Sequence, residues 1–172
     1  MNRTKRLATI LLKEIKIRKS RNENLSKDPL SDAIIRQIGN LLILPEGHSG
    51  RAASGWQKET NRRLSVKAKA ILDSSESMAE FHKKTHNEHQ LPVSNTHKCI
   101  VENCETLTVD NIIEKIYSYP MTTITWEEES KLTTVGNPTE RYEAAGIKIV
   151  MLEIIPKEHF KQKGKLNEIH KR

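Results

Sequence analysis

Residues 121–128 constrain the fold more tightly than any other stretch of this sequence. Met121-Thr122-Thr123-Ile124-Thr125 is rich in β-branched side chains and reads as a strand. It runs directly into Thr125-x-x-Glu128, a capping box that opens a helix expected over Glu127 to Leu132. Pro120 closes the helix before it. A second extended stretch is expected at Asn87-Glu88-His89-Gln90-Leu91-Pro92-Val93, where Glu88 and His89 are neighbours and face opposite sides of a strand. The residues between these stretches read as helical. Ser94 is placed to cap a helix through Cys104, and Thr108 opens another that carries Ile112, Ile113 and Ile116.

The remaining elements are mostly helical. Leu7, Leu11 and Ile15 recur at i+4 in a helix from Thr4 to about Lys19, with Thr4 as its cap. Arg21 to Lys27 reads as a polar linker. Asp28-Pro29 starts a helix with Ile34, Ile38 and Leu41/Leu42 on one face, and a loop follows from Leu44 to Trp56. Ser65 caps a short helix through Leu72, and a further helix capped near Ser75 runs to about Lys84. A helix over Thr139 to Ala145 stops at Gly146, and Ile147 to Ile155 reads as a last strand. The expectation is an α+β chain, mostly helical, with a small antiparallel sheet. Its organisation is expected as a basic helical arm at 1–27, a helical region with a basic loop at 28–86, a core at 87–156 and a basic tail at 157–172.

Charge narrows the classes of partner. Net charge is +7, and basic residues cluster. Residues 1–21 carry eight Lys and Arg against Glu14, residues 51–70 six against Glu59, and the segment from Lys157 six against two glutamates. The rest of the chain is net acidic. Basic grips around a carboxylate-bearing centre favour nucleic acid as partner, with Lys5, Arg6, Lys13, Arg18, Arg51, Arg62, Arg63 and Lys67 the expected contacts. No apolar run reaches the ~20 residues of a membrane span. Two cysteines make no disulfide framework, so an intracellular, cytoplasmic protein is the simplest expectation. A homodimer is left open.

The chemistry-bearing residues follow. The Glu88-His89-x-x-Pro92 pattern, with Ile124-Thr125-x-Glu127-Glu128-Glu129 and then Arg141-Tyr142-Glu143-x-Ala145-Gly146, resembles the HNH (ββα-metal) endonucleases over residues 87–146. That resemblance implies a ββα-metal-like core in which the Glu88 strand pairs antiparallel with the Ile124 strand and the helix from Trp126 packs across both. It implies DNA hydrolysis with Mg²⁺ or Mn²⁺, with His89 as general base and Glu88 and Glu129 as metal ligands. Glu129 is preferred because Glu128 is engaged in the capping box; Glu127 and Glu128 stay open. Arg141, or one of Arg62-Arg63, is the expected phosphate clamp. Asn95 or Asn111 would position the histidine. The sequence departs from the family in three ways: glutamate stands where the closing helix often carries histidine, zinc-binding CxxC pairs are absent, and the connection between the strands is long and helical.

Two other functions compete, a non-catalytic nucleic-acid-binding protein and a small phage or plasmid interaction module. His82, His86, His89, His97, Cys99 and Cys104 also lie close enough in sequence to weigh a zinc centre, although Cys-x4-Cys is looser than knuckle spacing. Both cysteines more often sit as small core residues. Trp56 and Trp126 read as packing anchors.

Overall fold

The computed structural model describes residues 2–26, 28–44, 56–133 and 136–169. In chain order its helices are α1 (Arg3–Ser20), α2 (Pro29–Leu42), α3 (Trp56–Thr60), α4 (Val66–Ser74), α5 (Met78–Lys84), α6 (Val93–Asn103), α7 (Val109–Ser118), α8 (Trp126–Glu129), α9 (Pro138–Ala144) and α10 (Pro156–Ile169). Its strands are β1 (Arg63–Ser65), β2 (Thr85–His89), β3 (Met121–Thr125) and β4 (Ile149–Met151). The fold is α+β and mostly helical. None of the described helices is long and apolar enough to cross a membrane.

The chain forms two compact units, residues 1–42 with 89–120 and residues 43–88 with 121–172. The first is a bundle of α1, α2, α6 and α7. Its core is aliphatic, with Ala8, Leu11, Leu12 and Ile15 of α1 packed with Ile35, Ile38, Ile100, Ile112 and Ile116. The N-terminal segment is therefore part of a packed core and not an arm. Asn2, not Thr4, caps α1 by accepting from the Thr4 N–H at 2.8 Å, while Thr4 itself is buried. Residues 21–27 were expected as a linker, yet Leu25 is buried in this core. Asp28 secures the turn into α2. Its carboxylate accepts from Leu30 N–H and Ser31 Oγ and pairs with Arg18 at 2.8 Å. The helices expected between the two strands, α6 and α7, belong to this bundle as well.

The second unit holds a four-stranded sheet of order β2-β3-β1-β4. β2 and β3 are neighbours, as the expected core requires. The sheet is mixed, however, and not antiparallel. β1 runs parallel to β3 with Leu64 opposite Thr123, and antiparallel to β4 with Leu64 opposite Val150. The difference comes from β1. Three residues are too few for alternation to show in sequence, but they separate β3 from β4 and set the sheet's direction. β3 is buried along its whole length. Two small cores serve this unit, one of Leu64, Ala68, Leu72, Phe81 and Leu152, the other of Ile124, Tyr142 and Ile147. The segment expected as a basic tail is helical through α10. Pro156 sits at the start of this helix, and Phe160 packs against the first of the two cores.

Candidate metal centre

β2 decides which side chains meet. In a strand, residues two apart share a face, so His86 and Glu88 go one way and Asn87 and His89 the other. Asn87 accepts from Thr123 Oγ1 of β3 at 2.6 Å. His89 lies over Gly39 of α2, so closely that a β-carbon at position 39 would sit 2.9 Å from its Cε1. His89 thus packs against α2 within the helical unit, while His86 shares the face of Glu88.

The three consecutive glutamates of α8 go to three different tasks. Glu127 is exposed and bonds Lys67 at 3.0 Å and Lys131 at 2.7 Å, which holds its pKa down at about 2. Glu128 is buried and completes the capping box. It accepts from Thr125 N–H at 2.9 Å and from Ser65 Oγ at 2.6 Å, and Ser65 in turn caps α4. One carboxylate therefore ties together the starts of two helices and the ends of β1 and β3. Glu129, a quarter-turn further round the helix, is released toward β2. Its Oε1 lies 3.4 Å from His86 Nε2. The same nitrogen lies 3.9 Å from Glu88 Oε2.

His86, Glu88 and Glu129 place one ligand atom each within 4.8 Å of one another. Arg141 backs the group from α9. It is 4% exposed, donates from Nη2 to Glu88 Oε1 at 3.3 Å and donates from Nε to the Thr133 carbonyl. Burial pushes the Glu88 carboxyl up from its ordinary value, and the bond to Arg141 opposes that rise. A guanidinium enclosed in this way orients a carboxylate and is not open to a substrate phosphate, so the expected clamp role for Arg141 is replaced by positioning. The His86 ring also lies against Trp126, centroids 4.7 Å apart and planes tilted by 36°. The half-buried Lys58 steadies the strand from its start, donating to the carbonyls of His82 and Thr85 at 2.8 Å each.

This donor set fits a divalent cation. At metal–ligand lengths of about 2.1 Å, neighbouring ligand atoms lie ~3 Å apart and opposed ones ~4.2 Å. The observed separations approach that range with only small side-chain adjustment. Two carboxylates suit Mg²⁺ and Mn²⁺, and the imidazole adds affinity for transition-metal ions over Mg²⁺. Among the described residues this is the one group of three or more such donors. Of the run from His82 to Cys104, His86 alone of the histidines and cysteines belongs to that group, and both cysteines are free. Of the asparagines, Asn111 is committed to the capping box of α7.

Most of the expected phosphate contacts are occupied by the protein itself. Lys5 pairs with Asp110, Arg18 with Glu23 and Asp28, and Lys67 with Glu127. Arg62 donates to the Leu152 carbonyl and Arg63 to Thr122 Oγ1. Arg6 and Lys13 are exposed on α1. Arg51 falls outside the described residues. His86 and Trp126 are the residues that sequence reasoning missed. The signal for His86 was its spacing of two from Glu88, which places both on one face once 85–89 is a strand.

The chain matches no protein-family model, no curated protein and no solved structure.

Proposed function

We propose that this protein is a divalent-metal-dependent endonuclease of HNH-like character acting on DNA, with its centre at His86, Glu88 and Glu129. The observation that carries the reading is the convergence of one imidazole nitrogen and two carboxylates within 4.8 Å, with a buried arginine behind one of them. When bound, Mg²⁺ or Mn²⁺ supplies Lewis acidity toward a phosphodiester and lowers the pKa of water. The chain's own residues provide the geometry. Arg141 fixes the direction of Glu88, the contact with Trp126 fixes the His86 ring, and the capping box through Glu128 fixes the start of α8 and with it Glu129. The net charge of +7, with Arg6 and Lys13 exposed, favours a polyanionic substrate.

The test is cleavage of supercoiled plasmid by purified protein in Mn²⁺, in Mg²⁺ and in EDTA. Nicked or linear product is expected with either metal and none in EDTA. Glu88→Ala is expected to abolish it, with a loss of about 10²-fold or more, the scale of a positioned catalytic group. DNA binding without cleavage in either metal would leave a non-catalytic binding protein.

A further inference from the structure

We propose that the groove beside the candidate metal centre binds one unpaired nucleobase of single-stranded DNA, with Trp126 as its stacking platform. This rests on the DNA-cleaving reading above and names its substrate as unpaired DNA. The groove is open to solvent, with a volume of about 490 Å³, and is lined by Lys67, Ala70 and Ile71 of α4, by Lys84, and by Thr125, Trp126 and Glu127 at the start of α8.

Trp126 carries the argument. Its indole is 49% exposed, although the chain has only two tryptophans and few other aromatic residues. Its orientation is fixed nonetheless. Nε1 donates to the Lys83 carbonyl at 3.1 Å, and the ring rests against His86. A held, half-exposed indole next to a cleft offers the flat apolar surface on which a base stacks. Ala70 and Ile71 add an apolar wall. Lys67 and Lys84 supply cations at the rim. Each is in an exposed ion pair, Lys67 with Glu127 at 3.0 Å and Lys84 with Glu80 at 2.5 Å, and exposed pairs of this kind contribute little to stability. A duplex hides its base faces in the stack, so only an unpaired base presents the surface that this groove accepts. Trp126 touches both the groove and His86, so the base site and the candidate centre share one side chain.

The experiment uses the full chain with Trp56→Phe, so that Trp126 is the only indole, in EDTA to prevent cleavage. The probes are a short oligothymidylate and a blunt duplex of equal length. Oligothymidylate is expected to quench the fluorescence, and the duplex is expected to leave it nearly unchanged. With Trp56 restored and a labelled oligothymidylate followed by anisotropy, Trp126→Leu is expected to weaken single-strand binding about tenfold, while Trp126→Phe retains most of it. Equal binding of oligothymidylate by Trp126→Leu and wild type, or equal quenching by duplex, overturns the proposal. Quenching without Mn²⁺-dependent cleavage of either plasmid or labelled oligothymidylate removes the nuclease reading and leaves the base site. Cleavage without quenching removes the base site alone.

Discussion

In the helical unit the interior is aliphatic, built from residues such as Leu11, Ile15, Ile35, Ile38 and Ile100. In the sheet unit, Asn61, Ser65, Thr85, Thr122, Thr123, Thr125, Glu128 and Arg141 are all buried around the strands. The second interior is tied by directional bonds. Asn61 donates to the Met121 carbonyl at 3.2 Å and to Thr123 Oγ1 at 3.1 Å, and Arg63 donates to Thr122 at 3.0 Å. Aliphatic packing is nondirectional and accepts substitution of similar volume. A buried polar network accepts few geometries, because each unmade bond leaves a desolvated group without a partner. The candidate centre belongs to the unit with the polar interior, and the polar bonds are what place its ligands.

The largest effect on stability is expected in the aliphatic unit. Leu11 is fully buried, and Leu11→Ala should lower unfolding free energy in urea by roughly 2–5 kcal/mol. Mn²⁺ affinity of the folded protein should not change. A loss of affinity there would break the division of labour between the two interiors.

Glu128→Ala should be next, costing roughly 2–3 kcal/mol by leaving Ser65 Oγ and the Thr125 N–H without their acceptor. It should also weaken Mn²⁺ binding measured by calorimetry, because α8 loses the bond that sets its start. Reduced stability with unchanged Mn²⁺ affinity would show that the capping box does not position Glu129.

The smallest effect sharpens the contrast between buried and exposed carboxylates of α8. Glu127 is exposed, and Lys67 and Lys131 hold its pKa at about 2, below the ordinary 4.5. A lowered carboxyl pKa contributes stability above the unfolded value, and that contribution fades as pH falls from about 4.5 toward 2. Glu127→Gln should flatten this part of the stability–pH profile and lower stability near neutral pH by the same amount, a small one because the ion pairs are exposed to solvent. Chemical denaturation across that window measures it. An unaltered acid limb would contradict the ion-pair assignment.

The parts of this fold that show in sequence are those set by local chemistry. β3 is announced by its β-branched run, α8 by Thr125 and Glu128, and the end of α9 by Gly146 at φ +67°. The engagement of Glu128 in its box correctly leaves Glu129 as the carboxylate near Glu88. The parts that do not show are set by tertiary contact. Thr85-His86-Asn87-Glu88-His89 has no apolar alternation and little strand propensity. It is extended because Thr85 Oγ1 bonds the Phe81 carbonyl, Lys58 holds two carbonyls and Asn87 meets Thr123. His82 and His86 are four apart, a spacing that shares a face in a helix, but the helix ends at Lys84 and His86 lies in β2 beside Glu88 instead. The bundle formed by α1 and α2 with α6 and α7 joins segments far apart in the chain, and no local signal reports that.

In the proposed centre His86, not His89, joins Glu88 and Glu129. Calorimetric titration of Mn²⁺ into wild type, His86→Ala and His89→Ala tests it most directly. Loss of one ligand should weaken binding at least as much as loss of an outer-shell partner, about 10–100-fold, so His86→Ala should fall by that factor or more. His89→Ala should bind within about twofold of wild type, since its ring packs on Gly39. Wild-type affinity in His86→Ala, or lost affinity in His89→Ala with the fold intact, would contradict the assignment.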